Sequence, residues 1–475
     1  MNKFIIPLII ILTACGDFGD TNVDPNNPTS VPVAGFLTNA IHSMPTYESG
    51  ITGLYYAQYW SATRYTENSR YSVTQFDFTS IYSGPLSDLQ KVIDMNSDPA
   101  TMEMAAESGS NANQIAVARI LKAYFFLHAT DRWGDLPYTE ALMALENLTP
   151  AYDTQSAIYA ALFEELDNAI EEFDAGAAPK GDILFNGDTD KWKRFANSLR
   201  LRMALRISDV DAITAKAEFE AAVADGVLAS NDDNAIYHYL GNGVFDNPRY
   251  NDFLTRTDNA VSATIVDKLI ALNDPRVATY ADPIGASAGD VYTGMPYGLG
   301  NAEAGGYGFD EVSLPNSVYV KAKDSSVPIL TYAQVLFGLA EGSSYGWNAG
   351  GSAESFYNAA IKASMEQWDV FDQTAYESYI QQTSVAFDDT KAIELIGEQK
   401  WLALYMQGYE GWAEWRRLGY PELVPAPAAA NNSGQIPRRQ AYPASESQNN
   451  QANYENAVAR QGADDLDTRV WWDVQ

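Results

Sequence analysis

Aromatic side chains are concentrated in residues 45–85 and 283–326, two segments rich in Gly, Pro, Tyr and Ser that lack helical periodicity. Loops of this length inside a compact body are usually functional or disordered, and their aromatic content argues against disorder. Sugar rings present flat C–H faces with hydroxyls at the rim, so a sugar site needs aromatic platforms with polar groups around them. The predicted platforms are Trp60, Tyr65, Tyr292, Tyr297 and Tyr307, and the predicted polar partners are Arg64 and Asn68.

Catalytic motifs are scarce in this chain. Its histidines, His42, His128 and His238, lie far apart without the spacing of a zinc site or a histidine-based triad. Residues 342–346 match the Gly-x-Ser-x-Gly elbow of hydrolases, but the residues before them favour a helix, whereas that motif follows a strand. A pair of carboxylates that hydrolyses glycosides is an alternative that the sequence leaves open. The 62 acidic residues offer many pairs, and no motif identifies one of them. We therefore expect a protein that is not an enzyme and has no catalytic residues.

Cofactor and metal motifs are equally scarce. The sequence contains no glycine-rich phosphate loop, so no nucleotide cofactor is expected. The Asp-rich turn at residues 187–190 offers carboxylates suited to calcium, but such a turn before a helix is more often a cap. We predict a helix cap here and no metal site.

Cys15 is the only cysteine, and it follows Leu12-Thr13-Ala14 at the end of an apolar run that begins after Lys3. This arrangement is typical of a secretory signal and resembles the lipobox of bacterial lipoproteins, in which the cysteine carries the lipid. The apolar run is too short to span a bilayer. The alternative for a lone cysteine is a buried free thiol. We predict a signal peptide over 1–14, a lipidated flexible tether over 15–30, and a single large domain over 31–475.

The composition favours a packed globular body, with 46% hydrophobic and 19% charged residues. The net charge of −32 excludes nucleic acid as a partner, since a phosphate backbone attracts clusters of Lys and Arg. The apolar pattern from Val117 to His128 follows one helix face, and residues 189–208 predict a long amphipathic helix. Further helices are predicted over 154–173, 212–225, 327–342, 352–369 and 390–417. Small residues within adjacent helices indicate stacked helical hairpins, and stretches such as 357–360 are reminiscent of degenerate tetratricopeptide units.

Five segments in this order resemble the SusD/RagB family, and more closely its SusD-like branch. They are Cys15-Gly16-Asp17-Phe18 with Asn22 to Pro28; Trp133 to Ala141; Trp192 to Arg202; Glu398 to Trp401 with Gly411 to Arg417; and Ile436 to Arg439 with Tyr442-Pro443 and Val470 to Asp473. Most of these residues are expected to be structural, because Trp, Arg and Asn within helices more often fix packing than contact ligand.

The resemblance implies a mainly α fold of tetratricopeptide-like helical pairs (α/α superhelical), with long irregular loop insertions and little β structure. It also implies an outer-membrane lipoprotein at the cell surface that binds carbohydrate for glycan uptake. Such a protein delivers an oligosaccharide to its partner, a SusC-like TonB-dependent transporter. Capture of a peptide or glycoprotein by the same architecture, or a scaffold or adhesion role, are the alternatives that the sequence leaves open.

Overall fold

A computed structural model of the protein describes residues 31–285 and 291–475. The predicted signal peptide, Cys15 and the predicted tether lie outside the described residues. Helices dominate the described chain and the four strands in it are short, which confirms the predicted mainly α fold.

The helices and strands follow one another along the whole described chain. The helices are α1 (Val33–Glu48), α2 (Ile51–Tyr56), α3 (Thr79–Ile81), α4 (Ser87–Ser97), α5 (Met102–Ala105), α6 (Asn111–Trp133), α7 (Gln155–Glu172), α8 (Thr189–Arg206), α9 (Ala212–Asp225), α10 (Pro248–Asp252), α11 (Ala263–Ala271), α12 (Val277–Tyr280), α13 (Asn301–Ala304), α14 (Tyr332–Ser344), α15 (Ala353–Gln367), α16 (Gln373–Ile380), α17 (Ala392–Ala403), α18 (Gly408–Leu418), α19 (Ala444–Asn449) and α20 (Gln451–Gln461). The strands are β1 (Trp60–Ala62), β2 (Ala235–Tyr237), β3 (Asn259–Val261) and β4 (Val327–Leu330).

The long helices pack as pairs: α6 on α7, α8 on α9, and α14 on α15. Small residues let neighbouring helices approach closely. A methyl group placed on Gly342 of α14 would lie 2.3 Å from Cζ of Phe219 on α9. The paired arrangement confirms the predicted tetratricopeptide-like hairpins. Residues 342–346 end a helix, as predicted. Helix α14 continues through Ser344, whereas a hydrolase elbow needs a strand before its serine.

Local signals placed most of the long helices correctly. The side chain of Asp188 accepts hydrogen bonds from the backbone N–H groups of Asp190 and Lys191, so the turn at 187–190 caps α8 as predicted. Helices α7, α9 and α15 likewise begin and end within two residues of their predicted bounds.

Three predictions about the helices were wrong. Residues 327–330 form β4, paired with β2, and α14 starts only after Thr331, whose side chain caps it. The predicted helix over 390–417 is two helices, α17 and α18, because Met406 adopts a left-handed backbone conformation (φ 70°) between them. The segment 45–85, predicted to lack helix, contains the end of α1 and all of α2.

Helices α2 and α18 pack against each other at a glycine. A methyl group on Gly408, the first residue of α18, would lie 2.3 Å from the backbone nitrogen of Leu54 in α2. The two helices therefore meet backbone to backbone, a contact that only glycine permits. This packing selects a helical conformation for a short segment whose own periodicity is weak.

A buried ionic network ties the core helices together. Arg206 of α8, which is 1% exposed, bonds Asp131 of α6 through Nη1 at 3.0 Å and Glu410 of α18 through Nη2 at 2.8 Å. Glu414 of α18 accepts from Lys400 Nζ at 2.6 Å. Burial alone would raise the pKa of Glu414, but nearby cations, first Arg417 and then Lys400 and Arg206, hold it well below its ordinary value. Lys400 and Glu414, which belong to the marker segments, therefore serve packing, as the sequence analysis expected.

Candidate ligand-binding site

The predicted site is built on a two-stranded antiparallel ribbon. Strand β1 pairs with β3 in the register Trp60 to Val261 and Ala62 to Asn259. Beyond Ala62 the chain enters an irregular loop, residues 63–72, which carries three of the predicted site residues. The ribbon fixes where this loop leaves the helical body.

Two of the five predicted platforms lie beneath the surface. The indole of Trp60 is fully buried, and its Nε1 donates to the hydroxyl of Tyr405 at 3.0 Å. Tyr297 is also buried, and its hydroxyl donates to the backbone carbonyl of Tyr55 at 2.8 Å. Neither ring offers an open face to a sugar in this conformation. Both support the ribbon and the loop from below.

Tyr65 is the most exposed of the predicted residues, at 66%. Its backbone adopts a left-handed conformation (φ 54°), which costs a bulky residue about 1–3 kcal/mol and is found most often at functional sites. The guanidinium carbon of Arg256 lies 4.6 Å from the centroid of the Tyr65 ring. Arg256 also forms an ion pair with Asp258, which raises the pKa of the guanidinium. A charged group therefore covers part of an otherwise exposed ring.

Arg64 links this loop to the second aromatic segment. Its Nη1 donates to the backbone carbonyls of Thr63 at 2.6 Å and Ala304 at 3.3 Å. Its guanidinium carbon lies 5.0 Å from the centroid of the Phe309 ring, which is 45% exposed. Phe309 was not predicted as a site residue. Its position in the Gly-rich stretch 305–310 is the one signal in the sequence that could have indicated it.

The other predicted residues are half-buried. Asn68 is half-buried; its Nδ2 donates to Thr52 Oγ1 at 2.7 Å, while its Oδ1 is buried without a hydrogen bond. Tyr307 is half-buried against a small cluster of buried apolar residues that includes Met295 and Ala304. Tyr292 is half-buried against the main core.

Hydrogen bonds hold the two segments in register. The backbone N–H of Thr66 donates to Asn301 Oδ1 at 2.9 Å, and Asn301 Nδ2 donates to Glu67 Oε1 at 2.6 Å. Hydrogen bonds from the backbone N–H of Glu67 and from Asn301 keep the pKa of Glu67 below its ordinary value, so it carries a negative charge at neutral pH. The surface thus combines exposed aromatic rings with amide, guanidinium and carboxylate groups.

The histidines lie away from this surface. His42 Nδ1 is 2.5 Å from the hydroxyl of Tyr237, and His238 Nδ1 is 2.7 Å from Ser326 Oγ. His128 is buried, and burial holds its pKa well below the ordinary value. Within residues 31–285 and 291–475, no group of three or more His, Cys, Asp or Glu side chains is arranged to hold a metal ion. No helix in the same ranges has the length and apolar character needed to cross a membrane.

Comparison with known proteins gives a consistent result. The SusD-like family model, described as starch-binding and associating with the outer membrane, matches residues 25–443. No curated protein sequence matches the chain significantly.

Solved structures match over nearly the full chain. A chitin-binding protein is 30% identical with a TM-score of 0.80, covering 93% of this chain and 100% of its own. A chitin-binding SusD homologue from Flavobacterium johnsoniae is 25% identical with a TM-score of 0.78, covering 93% and 99%. A SusD homologue from Bacteroides fragilis is 26% identical with a TM-score of 0.81, covering 93% and 100%.

Proposed function

Because the chain belongs to the SusD-like family, we propose that it captures an oligosaccharide at the cell surface and delivers it to a SusC-like TonB-dependent transporter of the outer membrane. Two of the similar structures are described as chitin-binding, which favours oligomers of N-acetylglucosamine as the first ligands to test. The protein acts in this proposal as a binding protein and not as an enzyme.

The observation that carries the proposal is the exposure of two rings beside Arg64: Tyr65, which follows it in the chain, and Phe309, whose ring faces its guanidinium. Both rings are substantially exposed although large aromatic side chains gain most from burial. Each ring has an arginine against it, so its remaining exposed surface is held in a defined orientation. A flat sugar face stacks on such a ring, while hydroxyl and amide groups at its rim bond neighbouring polar side chains.

In the same proposal, the remaining predicted residues support the two exposed rings. Asn68, with an unpaired amide oxygen, and the half-buried Tyr307, which packs against the cluster containing Ala304, are the nearer of these residues, and Tyr292 packs on the main core. Trp60 and Tyr297 position the ribbon and contribute no stacking face.

The test is isothermal titration calorimetry with the hexamer of N-acetylglucosamine. We expect saturable binding without continuing heat of turnover. The double variant Tyr65→Ala, Phe309→Ala should weaken binding about tenfold or more, since each stacking contact is worth about 0.5–1.5 kcal/mol. Phe245→Ala is the matched control, because the Phe245 ring has the same exposure as Phe309, 45%, on a different loop.

Each other outcome has a distinct meaning. Unchanged affinity in the double variant would refute the assignment of the site. Continuing heat would favour an enzyme. Binding of a peptide in place of every oligosaccharide, lost in the same double variant, would favour peptide or glycoprotein capture. No heat of binding with any of the ligands would favour a scaffold or adhesion role.

Anchoring and delivery form the second part of the proposal. We propose that Cys15 carries the lipid that holds the protein at the outer membrane, facing the extracellular side. In cells, Cys15→Ser should shift the protein from the membrane fraction to the soluble fraction. The wild-type protein should co-purify with a TonB-dependent transporter from solubilised outer membranes. A wild-type protein found equally in both fractions, or purified without such a transporter, would contradict this part.

A further inference from the structure

A cavity of about 840 Å³ lies beside α1 and α4, well within the size range of ligand-binding pockets. Its walls come from α1, α4, the loop 137–150 and the chain at 446–450. Tyr65, Phe309 and the other predicted site residues do not line it. It has more than twice the volume of the cavity beside Trp401, about 390 Å³.

The inner surface of this cavity is mainly apolar. It includes the rings of Phe36 and Tyr82 and the aliphatic side chains of Leu142, Met143 and Leu148. Leu148 is 72% exposed, although a large aliphatic side chain in a folded protein gains from burial. Clustered exposed aliphatic side chains mark a surface that another molecule covers.

The rim of the cavity is acidic. The carboxylates of Asp88, Asp94, Glu140 and Glu446 line it, and Lys91 is the one basic residue among the lining residues. A ligand that fits this rim carries positive charge, because like charges in a partly desolvated site repel each other.

Two of these carboxylates are held in fixed positions. Glu140 Oε2 accepts from Asn147 Nδ2 and from the backbone N–H of Ala151, both at 2.9 Å. Glu446 Oε2 accepts from the hydroxyl of Tyr152 at 2.6 Å. In both groups the bonded oxygen is Oε2, so Oε1 is left to accept a hydrogen bond from a ligand.

The backbone around the cavity is unusual at two points. The helical backbone of Tyr82–Leu86 is kinked at Gly84, which has a non-helical conformation. Leu142 adopts a left-handed conformation (φ 64°), which is strained for a bulky aliphatic residue. Both segments supply side chains to the cavity wall.

We propose that this cavity binds a basic peptide segment of a partner protein, with lysine or arginine at the rim and aliphatic side chains in the interior. The exposed apolar side chains of the cavity, Met143 and Leu148, are aliphatic, whereas its aromatic rings are buried or half-buried. This favours a peptide over a sugar, since sugars stack on flat aromatic faces and gain little from Leu and Met. This site is separate from the proposed oligosaccharide site and does not depend on it.

The test titrates the full chain, in detergent, with a nine-residue synthetic peptide that alternates lysine with leucine. We expect one saturable site. The double variant Glu140→Gln, Glu446→Gln should weaken it about tenfold, because it removes two charge pairs each worth up to about 1 kcal/mol. Leu148→Ser should also weaken it. The matched control, Glu354→Gln with Glu377→Gln, removes the same charge at exposed positions outside the cavity and should bind as wild type.

Three results would overturn the inference. The first is equal weakening of peptide binding in the cavity variant and in the control, which would show that the peptide is attracted to the acidic surface in general. The second is equal affinity for a peptide that alternates lysine with serine. The third is displacement of the lysine and leucine peptide by the N-acetylglucosamine hexamer, which makes the cavity a sugar site. Binding that persists in Tyr65→Ala, Phe309→Ala keeps this test independent of the proposed function.

Discussion

Glu48 provides a test of the buried polar core, because its pKa is raised to about 7, mainly by burial and against the opposing effect of Arg202. It lies at the end of α1, 2% exposed. Tyr124 donates its hydroxyl hydrogen to Glu48 Oε2 at 2.8 Å, and Gln407 Nε2 donates to Oε1 at 3.3 Å. The variant Glu48→Gln keeps the shape of the side chain and removes its charge.

The sign of the effect follows from the difference between the pKa of Glu48 in the folded protein and its pKa in the unfolded chain. The folded protein holds the Glu48 proton up to a pH of about 7, whereas the unfolded chain releases it near the ordinary value of 4.5. The stabilising contribution is therefore complete below 4.5 and is lost as the pH rises through 7. The full difference corresponds to about 3 kcal/mol, of which about 2–3 kcal/mol falls between pH 5 and pH 8.

The assay is urea unfolding at pH 5 and pH 8, followed by tryptophan fluorescence. Glu48→Gln should gain about 2–3 kcal/mol in unfolding free energy, relative to wild type, on going from pH 5 to pH 8. All other titrating groups are shared, so the difference between the two proteins isolates Glu48. Exposed Glu354→Gln is the control and should follow wild type at both pH values. An equal difference between Glu48→Gln and wild type at both pH values would refute the reasoning.

Three further substitutions test packing and the loop. Arg206→Met should lower the unfolding free energy by about 3–5 kcal/mol, because it removes the ion-pair partner of the buried Asp131 carboxylate; a loss under 1 kcal/mol in urea unfolding would contradict this. Gly342→Ala should cost about 1–3 kcal/mol, since its methyl group meets the Phe219 ring, and an unchanged Tm would contradict it. Tyr65→Gly should leave the unfolding free energy within about 1 kcal/mol of wild type while weakening oligosaccharide binding in calorimetry; loss of stability with unchanged binding would reverse its assigned role.

The sequence predicted the long helices because their signals are local. The apolar periodicity and the Asp188 cap of α8 both lie within a few residues of the helix they define. Where the predictions failed, the deciding contact was distant in the chain. Val327–Leu330 is a strand because β2, some ninety residues earlier, is there to pair with it. Gly408, two residues after the break at Met406, lies against the backbone of α2, which comes some 350 residues earlier.

The sequence marked out the two aromatic segments but not which of their rings are exposed. Tyr65 and Arg64 lie on the surface of the predicted loop, but Trp60 in the same loop is buried under its neighbours. Its indole hydrogen bond partner, Tyr405, lies 345 residues later in the chain. No pattern near Trp60 carries that information. An aromatic residue in a loop has the same local sequence signal whether it faces solvent or the core.

The burial of arginines explains how the charge of the chain shapes its binding surfaces. The sequence has 30 basic against 62 acidic residues. Many of its arginines are in the core: Arg132, Arg200, Arg202, Arg206, Arg276, Arg416, Arg417 and Arg439. The outer surface is therefore poorer in exposed cations than the sequence total suggests, and it repels anionic ligands. Arg256, held over the Tyr65 ring, is one of the cations that remain on this surface.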